Sequence, residues 1–96
     1  MSIKQLLTLT VTFVSLVASA EPAQWPLCSA CHGDKGQGGI GPMLAGQSAE
    51  YISDRLRAYR DGEYFGEQSP LMWPNAANLT DDDISAIAAF IENIDK

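Results

Sequence analysis

Two cysteines and the single histidine of the chain lie together in the run Cys28-Ser29-Ala30-Cys31-His32. On one helical turn, thiols three positions apart can each form a thioether with a vinyl group of the same porphyrin, and the adjacent imidazole is then directed at the iron. The C-x-x-C-H spacing therefore predicts one covalently attached haem c, with Cys28 and Cys31 as the attachment residues and His32 as a ligand of the iron.

Other chemistries of a cysteine pair fit this sequence less well. A disulfide between Cys28 and Cys31 would close a very short loop and would constrain little of the chain. A zinc site would need further cysteine or histidine ligands, and the sequence has none. The alternative that stays open is a non-haem thiol-disulfide protein, which alkylation would distinguish because thioether sulfurs do not react as free thiols do.

The second axial ligand of the iron decides between electron transfer and small-ligand chemistry. Because there is no second histidine, the candidate donors are the thioethers of Met43 and Met72. Met72 is favoured, because a predicted helix separates it from His32 and because Pro70 and Pro74 restrict the backbone around it. If Met72 does not bind, an open iron could take a small ligand, so a sensor or an enzyme is the alternative function.

Acidic side chains dominate the charge of the chain. Twelve acidic and six basic residues give a net charge of -6. This balance disfavours nucleic-acid binding and favours redox partner proteins that present a basic docking face. Arg55, Arg57 and Arg60 stand close together in the sequence, but Asp54 and Asp61 lie among them, which indicates a solvated face of mixed charge.

The first twenty residues have the pattern of a secretory signal. A short start with Lys4 precedes an apolar stretch from Leu6 to Val17, and Ala18-Ser19-Ala20 provides a cleavage site before Glu21. An uncleaved membrane anchor is the alternative, because the apolar segment is nearly long enough to span a bilayer. The sequence thus predicts a signal peptide at 1–20 and a periplasmic domain at 21–96, without stable membrane insertion after cleavage.

Helical patterns occupy two stretches of the predicted exported domain. One helix begins near Ser48 and ends before Gly62. The other begins at Thr80, where a capping box precedes isoleucines at helical spacing. The spans 33–46 and 62–78 are rich in glycine and proline and are expected to be irregular loops that flank the site. No stretch alternates as a strand does, so the sequence predicts an all-α fold.

With these motifs in this order, the exported domain resembles the class I c-type cytochromes, in particular the small bacterial monohaem proteins and one half of the dihaem ones. The resemblance covers nearly all of residues 27–94. It rests on Cys28-Ser29-Ala30-Cys31-His32-Gly33, Gly41-Pro42-Met43-Leu44-Ala45-Gly46-Gln47, the helix that contains Tyr51, Ser69-Pro70-Leu71-Met72, Leu79-Thr80-Asp81-Asp82-Asp83-Ile84 and Ala88-Ala89-Phe90-Ile91. It implies a small all-α class I cytochrome c fold, with helices and Gly/Pro-rich loops wrapped around one covalent haem.

The same resemblance implies a function and a set of site residues. The function is periplasmic electron transfer by one His/Met-ligated haem c, in a soluble carrier or in the cytochrome subunit of a redox complex, and not catalysis by the chain itself. Cys28 and Cys31 would carry the thioethers, and His32 and Met72 would bind the iron. The carbonyl of Pro42 would accept a hydrogen bond from His32. Residues expected to contact the haem or to pack in the core are Leu44, Tyr59, Trp73 and Ile91.

Two features depart from the family pattern. Only residues 21–27 precede Cys28, so the N-terminal helix is expected to be about one turn long and to begin at Pro26. The isoleucine face of the last helix would then be incompletely covered, apart from a contribution of Trp25, which predicts a dimer or a partner subunit. Asn75 stands where many relatives carry another methionine, which leaves fewer candidates for the axial sulfur.

Overall fold

The computed structural model describes residues 20–94, and within this range it contains four α-helices and no strand. The helices are α1 (Trp25–His32), α2 (Ala49–Arg60), α3 (Ser69–Ala76) and α4 (Asp81–Glu92). The all-α prediction is therefore confirmed. Apart from Ala20, the predicted signal segment lies outside the described residues. No helix in the described part of the chain is both long enough and apolar enough to cross a bilayer.

Helix α4 begins with the capping box that the sequence predicts. The Thr80 hydroxyl accepts a hydrogen bond from the backbone N–H of Asp83 at 3.0 Å, and the Asp83 carboxylate accepts one from the N–H of Thr80 at 2.9 Å. These reciprocal bonds satisfy two of the donors that a helix start leaves free. Because the Thr80 N–H stabilises its ionised form, the pKa of Asp83 is lower than that of an ordinary aspartate.

Helix α2 has the predicted bounds and is held to α4 at both ends. At its start, Ser48 caps the helix by accepting from Tyr51, and the Glu92 carboxylate of α4 accepts from the N–H of Ala49 at 2.8 Å. At its end, Arg60 donates to the carboxylate of Asp81 at 2.8 Å. These contacts fix α2 across α4, so the apolar faces of the two helices meet in one core.

The core is built mainly from α2 and α4 and is closed by one residue of α1. Its fully or nearly buried apolar side chains are Trp25, Ile52, Leu56, Ile84, Ile87, Ala88 and Ile91. Trp25 is only 3% exposed, and its ring meets the edge of Phe90 at a centroid distance of 5.1 Å. Burying an aromatic and several isoleucines supplies most of the stabilisation available to a chain this short.

The expectations for the N-terminal helix were partly wrong. Helix α1 begins at Trp25, so about one turn precedes Cys28 as expected, and the helix then continues through the attachment motif to His32. Pro26 lies at its second position rather than its first, where the missing N–H costs no helix hydrogen bond. Trp25 covers the isoleucine face of α4 completely enough that Ile84 is 0% exposed and Ile91 is 2% exposed. The incomplete coverage predicted from the sequence is therefore absent, and with it the argument for a dimer or partner subunit.

Helix α3 lies inside the span 62–78 that the sequence predicts to be irregular. Pro70 stands in its first turn, where proline is tolerated, and Pro74 lies inside the helix. An internal proline removes one backbone donor, which explains why the propensity of this segment gave no helical signal. Packing against α2 stabilises the helix in spite of that low propensity.

Candidate functional site

A cavity of about 650 Å³ lies between the four helices and the two glycine-rich loops. Cys28, Cys31, His32, Pro42 and Met72 all line it. These are the site residues that the sequence predicts, and they come from α1, from the following loop and from α3. Most of the remaining wall is apolar, as is usual for a pocket that holds a flat organic cofactor.

Helix α1 presents both thiols to the cavity from a single turn. Cys28 and Cys31 are free and partly buried. Burial raises the pKa of the Cys28 thiol, so this cysteine is neutral at pH 7. A neutral thiol is a poor nucleophile in disulfide exchange, so the environment of Cys28 does not resemble a reactive thiol-disulfide site.

His32 is buried at the C-terminal end of α1, and its ring is fixed on two sides. The Nδ1–H donates to the carbonyl oxygen of Pro42 at 2.8 Å. A β-carbon added to Gly41 would lie 2.5 Å from Cε1 of the ring, so the backbone of Gly41 approaches the imidazole too closely for any side chain. With Nδ1 committed to a carbonyl, Nε2 is the nitrogen left to bind a metal.

The loop after α1 folds back onto the end of that helix through its backbone. The N–H of Gly38 donates to the carbonyl of His32 at 2.7 Å, and the N–H of Gly41 donates to the carbonyl of Cys31 at 2.8 Å. Gly38 has a φ of +103°, which side chains rarely adopt. The glycines of this loop therefore allow the chain to return and place Pro42 against the histidine.

The two candidate methionines lie on different elements. Met43 follows Pro42 in the loop that contacts His32, and it is 57% exposed. Met72 lies on α3, is partly buried and packs against the hydrophobic core. Both border the cavity. Met43 therefore belongs to the loop that supports His32, whereas Met72 belongs to a separate helix, α3.

The arginines of α2 do not share one environment. The guanidinium of Arg57 lies 3.5 Å from the carboxylate of Asp54, on the solvated face that the sequence predicts. Arg55 instead borders the cavity, with its guanidinium carbon 3.7 Å from the ring centroid of Phe65 and 5.6 Å from that of Tyr51. The expectation of a solvated face is wrong for Arg55.

Three of the four residues expected near the haem or in the core border the cavity, and one does not. Leu44, Tyr59 and Ile91 line its wall. Trp73 faces the preceding loop, where its indole N–H donates to the carbonyl of Glu63 at 2.9 Å. Its role is to hold that loop to α3.

The residues around the cavity fit haem c. The two thiols and the imidazole come from one helix, a thioether faces the same space from another, and a largely apolar wall surrounds them. Soft sulfur and imidazole nitrogen are the axial donors that haem iron accepts in electron-transfer proteins. Because Gly41 has no side chain, its backbone can lie against the imidazole without displacing it from the cavity.

Comparison with known proteins gives the same family throughout. The family model described as cytochrome c matches residues 24–95. Cytochrome c-554(548) of Halomonas halodenitrificans is 51% identical over 65 residues, which are 66% of this chain and 78% of that protein. The thiosulfate dehydrogenase electron acceptor of Stutzerimonas stutzeri is 40% identical over 72 residues, 72% of this chain but 33% of that protein. Cytochrome c4 of Azotobacter vinelandii is 33% identical over 73 residues, 72% of this chain and 35% of that protein.

The family model covers almost all of the described residues, and the relatives are named as cytochromes or as electron acceptors. This chain therefore belongs to the cytochrome c family, and it transfers electrons through covalently bound haem c rather than catalysing a reaction of its own.

Proposed function

We propose that Cys28 and Cys31 bind the haem through two thioethers, with His32 and Met72 as the axial ligands of its iron. The observation that carries this assignment is the hydrogen bond from His32 Nδ1 to the Pro42 carbonyl at 2.8 Å, within a cavity that both cysteines and Met72 border. It selects Nε2 as the coordinating nitrogen and strengthens the histidine as a ligand.

Met72 is the better axial candidate because of where the two methionines are attached. The sixth ligand must approach the iron from the face opposite the histidine. Met43 is adjacent to Pro42, the residue that supports His32, whereas Met72 lies on α3 and packs against the core. A thioether held by a packed helix is also better ordered than one that is mostly exposed.

The haem supplies the one-electron chemistry, and the chain sets the conditions for it. Two protein ligands leave no coordination position for a substrate. A thioether favours the ferrous state and raises the reduction potential. Ile52, Leu56, Ile87 and Ile91 contribute an apolar wall that limits access of water. The assignment therefore favours an electron carrier over the alternative of an open iron site.

We also propose that residues 1–20 are a signal peptide and that the domain at 21–96 works in the periplasm. The sequence pattern supports this location, as does membership in a family whose bacterial members are typically periplasmic. The excess of acidic residues favours a partner with a basic docking face. Two longer relatives are named as electron acceptors of thiosulfate dehydrogenase, which supports a carrier or cytochrome subunit that receives electrons from a redox enzyme.

The test of the haem assignment is covalent retention. The full chain is expressed in a bacterium with a haem-attachment system, and the exported protein is extracted with acidified acetone. We expect the haem to stay with the wild-type chain and with the control variant Ser29→Ala, which changes only an intervening residue. We expect the double variant Cys28→Ala/Cys31→Ala to release it. A wild-type chain that releases its haem, or has none, would contradict the assignment and leave a thiol-disulfide protein.

A further inference from the structure

We propose that Glu92, the last residue of α4, is a positioning residue for the haem: it caps the start of α2, holds that part of the cavity wall in place and so keeps the reduction potential high. The inference rests on the proposed function, because it requires a haem in the cavity. Glu92 itself lies outside the cavity wall, so it acts through the first turn of α2.

The contact joins the end of one helix to the start of another. The Glu92 carboxylate accepts a hydrogen bond at 2.8 Å from the backbone N–H of Ala49, 43 positions away in the sequence. Ala49 is the first residue of α2, and its N–H has no acceptor within that helix. The Ser48 hydroxyl caps the N–H of Tyr51 from the same segment. Glu92 therefore adds a second cap that comes from a different element.

The position of Glu92 is unfavourable for its own helix. It stands in the last turn of α4, where the helix dipole disfavours a negative charge, and that turn has no basic residue. At the start of α2 the dipole has the opposite sign and stabilises a carboxylate. Because the contact is partly buried, its charge-assisted hydrogen bond is stronger than one surrounded by water. The stabilisation that Glu92 provides thus falls on α2 rather than on α4.

The hydrogen bond lies beside the part of the cavity wall where α2 and α4 meet. Ile91, which precedes Glu92, borders the cavity. Tyr51 and Ile52, which share the first turn of α2 with Ala49, border it as well. Ala49 packs against the core that contains both isoleucines. A shift of this turn away from α4 would therefore move two wall residues at once.

The contact at the opposite end of α2 is placed differently. Arg60 donates to Asp81 at 2.8 Å, but the side chain of Asp81 is 75% exposed. Neither Thr80 nor Asp82, the neighbours of Asp81, borders the cavity. An ion pair open to solvent on one side is screened by water and contributes little. Of the two contacts, the one made by Glu92 is both partly buried and continuous with the cavity wall.

An ordered wall matters for the potential because it limits the access of water to the iron. Water stabilises the more highly charged ferric state, and solvent exposure is one of the factors that set the potential of a haem. Without the cap, the first turn of α2 opens more often, because the Ala49 N–H then has only water as an acceptor. We expect this opening to admit water beside Tyr51 and Ile52 and to lower the potential.

The experiment measures two properties of the haem-loaded full chain: the midpoint potential at pH 7 and the hydrogen exchange of backbone amides in the first turn of α2. It compares the wild type with Glu92→Ala, which removes the acceptor, and with Glu92→Gln, which keeps an acceptor oxygen. Both variants lack the charge, so the difference between them isolates the hydrogen bond. Glu50→Ala is the matched control, because Glu50 is an exposed acid in the same helical turn.

The expected result is a difference between the two Glu92 variants. In Glu92→Ala the amides of Ala49 and Ile52 should exchange about fivefold faster than in Glu92→Gln, as for the loss of one hydrogen bond. Ile52 reports on the whole turn, because its N–H donates to the Ser48 carbonyl at 3.0 Å. The equilibrium constant for haem reduction against a fixed mediator should be about threefold lower in Glu92→Ala, because only part of that free energy affects the iron. Glu50→Ala should match the wild type in both measurements.

Equal potentials in Glu92→Ala and Glu92→Gln would overturn the inference. Faster exchange without a change in potential would make Glu92 a structural cap only, and a higher potential in both variants would leave it only an effect of charge. If Glu92→Ala does not fold, Glu92→Asp decides, because it keeps the charge but is one methylene shorter. A potential below that of the wild type supports the inference, and an equal one contradicts it. A wild-type chain without haem would instead refute the proposed function.

Discussion

The two sides of the cavity are built in different ways. The histidine side consists of α1 and the loop at 33–47, and its backbone hydrogen bonds from Gly38 and Gly41 return the loop onto the end of the helix. The methionine side consists of the loop at 61–68 and α3. Its backbone hydrogen bonds are short-range turns, such as those from the Glu63 N–H to the Ala58 carbonyl and from the Ser69 N–H to the Gly66 carbonyl, both at 3.0 Å. Single side-chain contacts add to them, from the Trp73 indole to the Glu63 carbonyl and from the Phe65 N–H to the Ser69 hydroxyl.

This difference indicates which ligand is the more firmly held. The histidine side is a local backbone motif around a buried imidazole, and several hydrogen bonds must break together before His32 moves. On the methionine side, α3 has no side-chain cap and contains Pro74, so its position depends on packing against α2. We therefore expect destabilising conditions to release Met72 before His32.

The largest effect is expected from a substitution on the histidine side. In Gly41→Ala the new β-carbon would lie 2.5 Å from the imidazole, so the ring or the loop must move. Overpacking of this kind costs about 1–3 kcal/mol in the free energy of unfolding. Urea unfolding of the haem-loaded protein measures the loss.

Gly66→Ala is the matched control for Gly41→Ala. Gly66 lies on the methionine side at the border of the cavity, has no positive φ, and has no protein atom within 4 Å of the position of an added β-carbon. We expect its stability to stay within about 0.5 kcal/mol of the wild type. Equal losses in both variants would mean that the close approach of Gly41 to His32 does not matter for stability.

An intermediate effect is expected from Trp73→Phe on the methionine side. The variant keeps an aromatic ring but removes the hydrogen bond to the Glu63 carbonyl, which is worth about 1 kcal/mol. Because this bond ties the loop to α3, the spectral signal of methionine–iron coordination should disappear at a lower urea concentration than in the wild type, while helix content persists.

Tyr64→Phe is the control for Trp73→Phe, because Tyr64 is an exposed aromatic of the same loop. It should leave the methionine transition unchanged. If Trp73→Phe shifts the loss of methionine coordination and the loss of helix content equally, the two sides unfold as one unit and the proposed difference between them is wrong.

The smallest effect on stability is expected from a substitution in the capping box of α4, which belongs to neither the histidine side nor the methionine side of the cavity. The pKa of Asp83 is lowered in the folded protein by the Thr80 N–H, so the ionised carboxylate stabilises the fold at neutral pH. That contribution is present above the ordinary aspartate pKa and is lost as pH falls through the lower folded value. Thermal melts of Asp83→Asn and the wild type should therefore differ more at pH 7 than at pH 2.5.

Asp82→Asn is the control for Asp83→Asn, because Asp82 occupies the same helical turn without joining the capping box. Its difference from the wild type should be smaller at neutral pH. Equal effects of the two variants would assign the stabilisation to the helix dipole rather than to the reciprocal hydrogen bonds.

The sequence predicts well those features that depend on local patterns. The bounds of α2, the capping box of α4 and the attachment motif all follow from residues close together in the chain. Helix α3 was not predicted, because Pro70 and Pro74 remove the usual helical signal and packing on α2 stabilises the segment. The full burial of the isoleucine face of α4 could not be predicted either, because it depends on where the Trp25 side chain packs against α4.

The environment of Arg55 could have been inferred from its sequence position. Its spacing from Ile52, Leu56 and Tyr59 places it on the apolar face of α2, although its charge and the nearby aspartates favoured a solvated interpretation. The stacking on Phe65 could not have been inferred, because that residue reaches Arg55 only through the path of the loop at 61–68.

The most direct test of the central assignment is the visible spectrum of the oxidised, haem-loaded protein in the region of the weak methionine-to-iron band. The wild type and Met43→Ala should show the band, while Met72→Ala should keep its covalent haem and lose both the band and the high reduction potential. A band that persists in Met72→Ala and disappears in Met43→Ala would contradict the assignment of Met72 as the axial ligand.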